Sequence, residues 1–164
     1  MTDKFTLNVG CGERTFATYP TDEYKCINFD ERFLDCVDIT GDVRDLSRFP
    51  NEAFDYILAS DIIEHFPIAE TLNILIEWGR VLKGSGILEF RLPNLEFICK
   101  RYVEGKHDAK YTSWLLYGGQ DYSGNYHYVA FDRKWLCHIL KEAGFEEVGF
   151  TEDGNNFIAK FRKV

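Results

Sequence analysis

Apolar residues along this chain follow two rhythms. Short β-prone runs alternate with longer stretches whose apolar positions fall three and four apart, the pattern of strands interleaved with helices. Lys4 to Val9 stops at Gly10-Cys11-Gly12, Tyr24 to Phe29 stops at Asp30-Glu31, and Cys36 to Ile39 is a shorter third run leading into Gly41-Asp42. Phe54 to Ala59 (FDYILA) and Ile87 to Leu92 (ILEFRL) are more apolar, as strands covered on both faces are. These two are expected at the centre of a sheet.

Between them Pro67 stands where a helix can start, Leu72, Leu75, Ile76 and Leu82 keep helical spacing, and Lys83-Gly84 reads as the stop. The result is a βαβ unit, right-handed in nearly all sheets. Asn94 can cap a helix carrying Leu95, Ile98, Cys99 and Tyr102, and Asp132 one carrying Trp135, Leu136, Ile139 and Leu140 before Gly144. Glu146 to Phe150 and Phe157 to Phe161, either side of Asp153-Gly154, read as an antiparallel hairpin. The expected class is therefore α/β, a mostly parallel sheet closed by a C-terminal hairpin. Only Glu13 to Glu23 and Glu31 to Asp35 separate the first three strands, too little for full crossover helices, so the first helices are abbreviated. One apolar face of the sheet would then be thinly covered, and a second copy of the chain, forming a homodimer, is expected to bury it.

The length of 164 residues fits one domain, with no linker, repeat or low-complexity run to divide it. A hydrophobic content of 45% suits a packed core, and no apolar run is long enough to span a membrane. Nineteen basic residues stand against 27 acidic ones, a net charge of −8, so no general field attracts duplex nucleic acid. Five cysteines without a C-x-x-C pair fit neither a disulfide framework nor a structural zinc site, and the site is read as metal-free. With no export signal in MTDKFTLNVG, a reduced, cytoplasmic protein is expected.

A glycine turn directly after a strand lets a ligand approach the backbone, and an acid about 20 positions later can accept from ribose hydroxyls. Gly10, Gly12 and Asp30 stand in that relation, although a structural turn with a surface aspartate gives the same letters. The third glycine of a dinucleotide fingerprint would fall at Thr15, and no helix of normal length can begin there to receive a pyrophosphate. S-adenosylmethionine carries no phosphate and needs only the close turn, an acid for its ribose and a polar strand-end group for its adenine, which Gly41-Asp42-Val43 supplies.

Taken together, LNVGCG, INFDER, GDVRDL, FDYILASDIIEHF, VLKGSGILEFRLPN and the closing hairpin resemble the class I S-adenosylmethionine-dependent methyltransferases over nearly the whole chain. The chain is especially similar to a compact bacterial and viral subgroup with an abbreviated first helix and a segment like YGGQDYSGNYHYVAF before the last helix. The resemblance implies a Rossmann-like fold with S-adenosylmethionine as cofactor. It places Gly10, Cys11 and Gly12 under the methionine part, Asp30 on the ribose, Asp42 and the Val43 backbone on the adenine, and Ser60 at the fourth strand end. Asn8 replaces a frequent acid, and Glu13-Arg14 a frequent glycine. The family also places contacts around the transferred methyl at Asp61, Glu64 and His65; by the residues alone, Asp61 could equally cap the next helical turn, and His65 is read as lining the pocket.

Residues 111–131 are too polar and glycine-rich for a core element and too aromatic for an idle linker, so they read either as a substrate-facing lid or as a surface loop covering a sheet edge. His127, with Asp121 close in sequence, is the candidate base, with a structural histidine as the alternative. Arg91 and Asn94 are secondary candidates for holding a polar acceptor. The reading that follows is methyl transfer to a small molecule or glycan, with the subgroup resemblance favouring saccharide hydroxyls. A non-catalytic cofactor-binding module or partner subunit, and an NAD-dependent oxidoreductase, are the alternatives.

Overall fold

The computed structural model describes residues 4–13 and 24–164. In chain order the elements are strands β1 (Lys4–Val9), β2 (Tyr24–Asp30), β3 (Ile39–Thr40) and β4 (Phe54–Ser60), a 3-10 turn (Ile63–His65), helix α1 (Ile68–Val81), strand β5 (Leu82–Pro93), helices α2 (Leu95–Val103), α3 (Ala109–Tyr117) and α4 (Arg133–Glu142), and strands β6 (Phe145–Asp153) and β7 (Asn156–Lys163). The strands form one sheet in the order β3-β2-β1-β4-β5-β7-β6. The first five run parallel, and β7 and β6 close the sheet antiparallel. The two-residue turn Gly154-Asn155 joins that hairpin, with Gly154 at a φ of 61°.

Directly paired residues share a face of the sheet, so the register sorts the side chains into two sets. Leu7, Ile57, Leu88 and Phe161 lie on one face with Val9, Phe29, Ala59, Phe90 and Ala159. This apolar face packs against Ile74, Leu75, Trp78 and Val81 of α1 and Leu136, Ile139 and Leu140 of α4 in one core. Trp78 stacks on Phe90 with ring centroids 6.2 Å apart. The opposite face carries Thr6, Asn8, Asn28, Tyr56 and Glu89, joined by Asn8 Nδ2 donating to Asn28 and Tyr56 Oη donating to Glu89. Leu58 and Ile87 share that face with them, so among the described residues the face expected to be bare and apolar mixes polar and apolar side chains.

Other expectations hold with changed boundaries. Asn94 and Asp132 cap α2 and α4 through their side-chain oxygens, which accept from Phe97 N and Trp135 N at 3.1 and 2.7 Å. Helix α1 begins directly after Pro67, but it ends at Val81 rather than at Lys83-Gly84. Leu82 is fully buried and already pairs with Phe54, so the chain turns straight from helix into strand. The third strand shrinks to Ile39–Thr40 because Asp38 latches onto its neighbour instead: its carboxylate accepts from Asn28 N at 2.7 Å, and its own N–H donates to Asn28 O. The Glu13 to Glu23 connection lies, after Glu13, outside the described residues.

The segment 111–131 is not a loop throughout. Its first third belongs to α3, which Asp108 caps by accepting from Tyr111 N at 2.7 Å; only the part from Gly118 onward is irregular.

Candidate active site

Between β1 and β4 the strand order reverses, and in parallel α/β sheets a crevice opens outside the carboxyl ends of the strands at such a point. Here it is a cleft of about 880 Å³, the size of a small-molecule site. Gly10, Cys11, Gly12, Asp30, Asp42, Val43, Ser60, His65 and His127, drawn from six separate stretches of chain, all line it. Asp121 does not.

The turn after β1 is built on glycine because other residues would not fit. Gly10 and Gly12 have φ values of 64° and 57°, in the left-handed region, and a Cβ on Gly10 would meet the Ile62 side chain at 2.5 Å. The N–H groups of Gly10 and Cys11 both donate to Phe29 O, at 2.8 and 3.2 Å, tying the turn to the end of β2. Cys11 is buried, and burial together with the neighbouring Asp30 charge pushes its thiol up to about 12, so it remains a neutral thiol at physiological pH.

Three strand-end aspartates around the cleft are each held by an arginine. Asp30, nearly buried at the end of β2, accepts from Gly12 N at 2.7 Å, from Arg32 N at 2.9 Å and from Arg32 Nε at 3.2 Å. Asp42 forms a fork with Arg44, whose Nη2 lies 2.7 Å from Oδ2, and that bond holds the Asp42 carboxyl below its ordinary range. Arg44 also reaches Glu70 at 3.1 Å, and Trp78 Nε1 donates to Val43 O at 2.8 Å, which fixes the peptide beside Asp42. Asp61 pairs with Arg91, accepts from Ser60 Oγ at 3.3 Å and has a φ of 53°, rare outside glycine. It does not cap the following turn, whose cap residue is Ile62 without a side-chain bond.

Two of these arginines sit two residues after their aspartate, as D-x-R at 30–32 and 42–44. That repeated spacing was the available signal for Arg32, whose part the sequence reading missed.

The far wall comes from the 3-10 turn and the segment after α3. Tyr128 N and Val129 N donate to Glu64 O at 2.8 and 3.3 Å, and His127 N to Tyr117 O at 3.1 Å, so the main chain straps the segment onto the turn. His65 Nδ1 donates to Tyr126 O at 3.1 Å, and its ring meets that of His127 edge to face at 4.7 Å between centroids. Burial, then the His65 charge, push His127 down to about 4, and burial lowers His65 as well, so both imidazoles are neutral at physiological pH. Burial, with the Asp61 charge adding to it, holds Glu64 well above the usual carboxylate range; the amide groups of Ile62 and Glu64 oppose this from outside hydrogen-bonding geometry.

Asp121 is not brought to His127. It accepts from Asn125 Nδ2 across a tight turn of the segment, and that bond holds its carboxyl low. His127 instead has His65 and the Leu115 carbonyl beside its ring. Trp114, Tyr122 and Tyr128 line the same end of the cleft with much of their ring surface exposed, and Arg32 lies over the Tyr122 ring at 5.5 Å.

A sequence profile of the methyltransferase domain family matches residues 2–148. The chain belongs to that family, the class I S-adenosylmethionine-dependent methyltransferases. S-adenosylmethionine is its cofactor. No curated protein matches the chain significantly. Among solved structures, the PH0226 protein of Pyrococcus horikoshii OT3 is similar with a TM-score of 0.72 and 20% identity, over 99% of this chain and 83% of that one. A Methanosarcina mazei S-adenosylmethionine-dependent methyltransferase is 20% identical with a TM-score of 0.66, over 100% and 94% of the two chains. The 1,6-didemethyltoxoflavin-N1-methyltransferase of Burkholderia thailandensis, solved with 1,6-didemethyltoxoflavin and S-adenosylhomocysteine, is 15% identical with a TM-score of 0.70, over 98% of this chain and 71% of that one. At these identities the structures share this methyltransferase's fold.

Proposed function

We propose that this methyltransferase transfers the methyl group to a small-molecule or glycan acceptor, a saccharide hydroxyl being favoured, with the cofactor on the Gly10 side of the cleft and the acceptor on the His127 side. The observation that carries the reading is the convergence on one cleft of the glycine turn, the strand-end acids and the aromatic segment after α3. Gly10, Cys11 and Gly12 leave room for the methionine end. Asp30 is nearly buried and held rigid by Gly12 N and Arg32, which preorganises it to accept from the ribose hydroxyls; the Arg32 side chain, on the surface of the cleft, has to yield part of that carboxylate. Asp42 and Val43 take the adenine edge, and Ser60 the floor between the two ends.

The reaction is an in-line displacement. The acceptor atom forms a bond to the methyl carbon, the bond from that carbon to sulfur breaks, and its electron pair leaves a neutral thioether; for a hydroxyl acceptor the proton passes to solvent. Most of the acceleration comes from alignment and exclusion of water. His127 is neutral at physiological pH and able to accept from the acceptor hydroxyl, while its low basicity makes it a positioning group more than a strong base. Trp114, Tyr122 and Tyr128 offer flat apolar surface against which a sugar or heterocycle can stack. A small-molecule acceptor is in keeping with the substrate named for the Burkholderia enzyme.

The test is calorimetry with S-adenosylhomocysteine, followed by release of that product across a panel of sugar, phenol, amine and carboxylate acceptors. Binding with turnover on hydroxyl acceptors is expected. Binding without turnover on any acceptor would favour a non-catalytic module, and NAD binding in place of S-adenosylhomocysteine would reject the cofactor assignment.

A further inference from the structure

Glu64 has no part in the chemistry described so far, and its position is costly. Its side chain is fully buried and neither carboxylate oxygen has a hydrogen-bond partner. Buried acids persist when something pairs with them or when they ligate an ion. One ligand atom each from Glu64, His65 and His127 lie within 4.8 Å of one another, the one such group of three among the described residues.

The surroundings of the two histidines fit ligation. A carbonyl oxygen can only accept, so the bond from His65 Nδ1 to Tyr126 O places the proton on Nδ1 and leaves the Nε2 lone pair unprotonated. That is the way a carbonyl outside the coordination sphere fixes the tautomer of a metal-bound imidazole. The Leu115 carbonyl lies beside the His127 ring. The backbone bonds from Tyr128 N and Val129 N to Glu64 O hold the segment carrying His127 against the turn carrying the other two groups. Donor atoms at about 2.0–2.2 Å from a shared ion sit roughly 3–3.5 Å apart, so the widest pair of the three needs to close by up to roughly 1.3–1.8 Å.

We propose that Glu64, His65 and His127 form a site for a divalent transition-metal ion. Two imidazoles and one carboxylate suit manganese, iron or zinc, whereas magnesium and calcium favour all-oxygen sites. His65 and His127 line the cleft and Glu64 lies behind them, so the positions left open on the ion face the acceptor compartment. With the His127 lone pair taken up by the ion, the ion would bind an acceptor hydroxyl in its place and lower that hydroxyl's pKa. This replaces the metal-free site expected from the sequence. The role given to the acceptor rests on the methyl-transfer reading; the metal site itself does not.

Manganese is the appropriate probe, because the five free cysteines would also take up zinc whereas manganese prefers nitrogen and oxygen donors. Manganese is titrated into the full chain with free ion followed by electron paramagnetic resonance, alongside S-adenosylhomocysteine calorimetry on the same samples. One equivalent is expected to bind, to raise the melting temperature of the wild-type chain, and to bind about 10–100-fold more weakly to Glu64→Gln and to His127→Ala. Both variants are expected to keep wild-type affinity for S-adenosylhomocysteine. If the glutamine variant fails to fold, His127→Ala carries the test, since it alters a side chain on an irregular segment. A wild-type chain that binds S-adenosylhomocysteine but no manganese, or variants that bind manganese as well as the wild type, would overturn the proposal. Manganese binding without S-adenosylhomocysteine binding would leave the metal site standing and sink the acceptor role.

Discussion

Gly10 shows how little freedom the cofactor turn leaves. Its φ of 64° disfavours a side chain, and the added Cβ would lie 2.5 Å from Ile62, the residue just before the 3-10 turn. Gly10→Ala is expected to lower stability by about 1–3 kcal/mol through backbone strain and overpacking, read from the denaturant midpoint. Gly12→Ala meets only the tip of Arg32 at 3.0 Å, so its cost should be mostly the backbone term and smaller; equal losses for the two would count against the Ile62 contact. At Asp30 the expected effect is on binding. Asp30→Ala removes a charge-assisted acceptor from the cleft and should weaken S-adenosylhomocysteine by about 1–3 kcal/mol in calorimetry. Unchanged affinity would remove Asp30 from the ribose.

Helix α3 is the element on which the acceptor compartment depends. It is short, it buries little beyond Leu115, and its start rests on the Asp108 cap. A helix of nine residues has little stability of its own, so the cap matters. Asp108→Ala is expected to cost about 1 kcal/mol locally. The measurement is hydrogen exchange: amides of 109–117 should exchange faster while those of α1, anchored by buried Trp78, stay protected. A uniform change over both helices would show that α3 does not open as a separate unit. Because Trp114 and Leu115 line the cleft, loosening this helix should disturb the acceptor side and leave the Gly10 side intact.

Across the whole molecule, Asp55 joins three strands. From β4 its carboxylate accepts from Phe5 N in β1 at 2.9 Å and from Lys83 Nζ in β5 at 2.8 Å. Burial disfavours the ionised form, but the bonds from Lys83 and Phe5 outweigh it, and the carboxyl lies below its ordinary value of 3.8. A carboxyl lowered on folding stabilises the protein above its unfolded pKa, and that contribution is lost as pH falls through the folded value. Asp55→Asn should therefore reduce stability at pH 7 and flatten the loss of stability seen on acidification below about pH 4. Urea melts at intervals from pH 3 to pH 7 test this. A variant whose acid limb parallels that of the wild type would show that the bridge contributes little.

The order of the strands and of helices α1, α2 and α4, the Asn94 and Asp132 caps, the closing hairpin and the glycine turn were legible in the sequence. Each depends on neighbours a few residues apart, where periodicity, capping chemistry and turn geometry act. Boundaries set by distant partners were not: Leu82 joins a strand because Phe54 lies beside it, and the third strand is cut short because Asp38 finds Asn28. Helix α3 was hidden because its exposed aromatic residues gave no apolar stripe. The site divides in the same way. The sequence by itself identified the residues at the strand ends, because the fold puts every such end on one side of the sheet. Only the tertiary structure decided what each one faces: Asp121 turns to Asn125, each cleft aspartate meets an arginine, and Glu64 is buried beside two histidines. Asp121–Asn125 and the two D-x-R pairs are local, and their spacing was there to be read, but Asp61 to Arg91 and Glu64 to His127 join positions 30 and 63 apart, which no local pattern encodes.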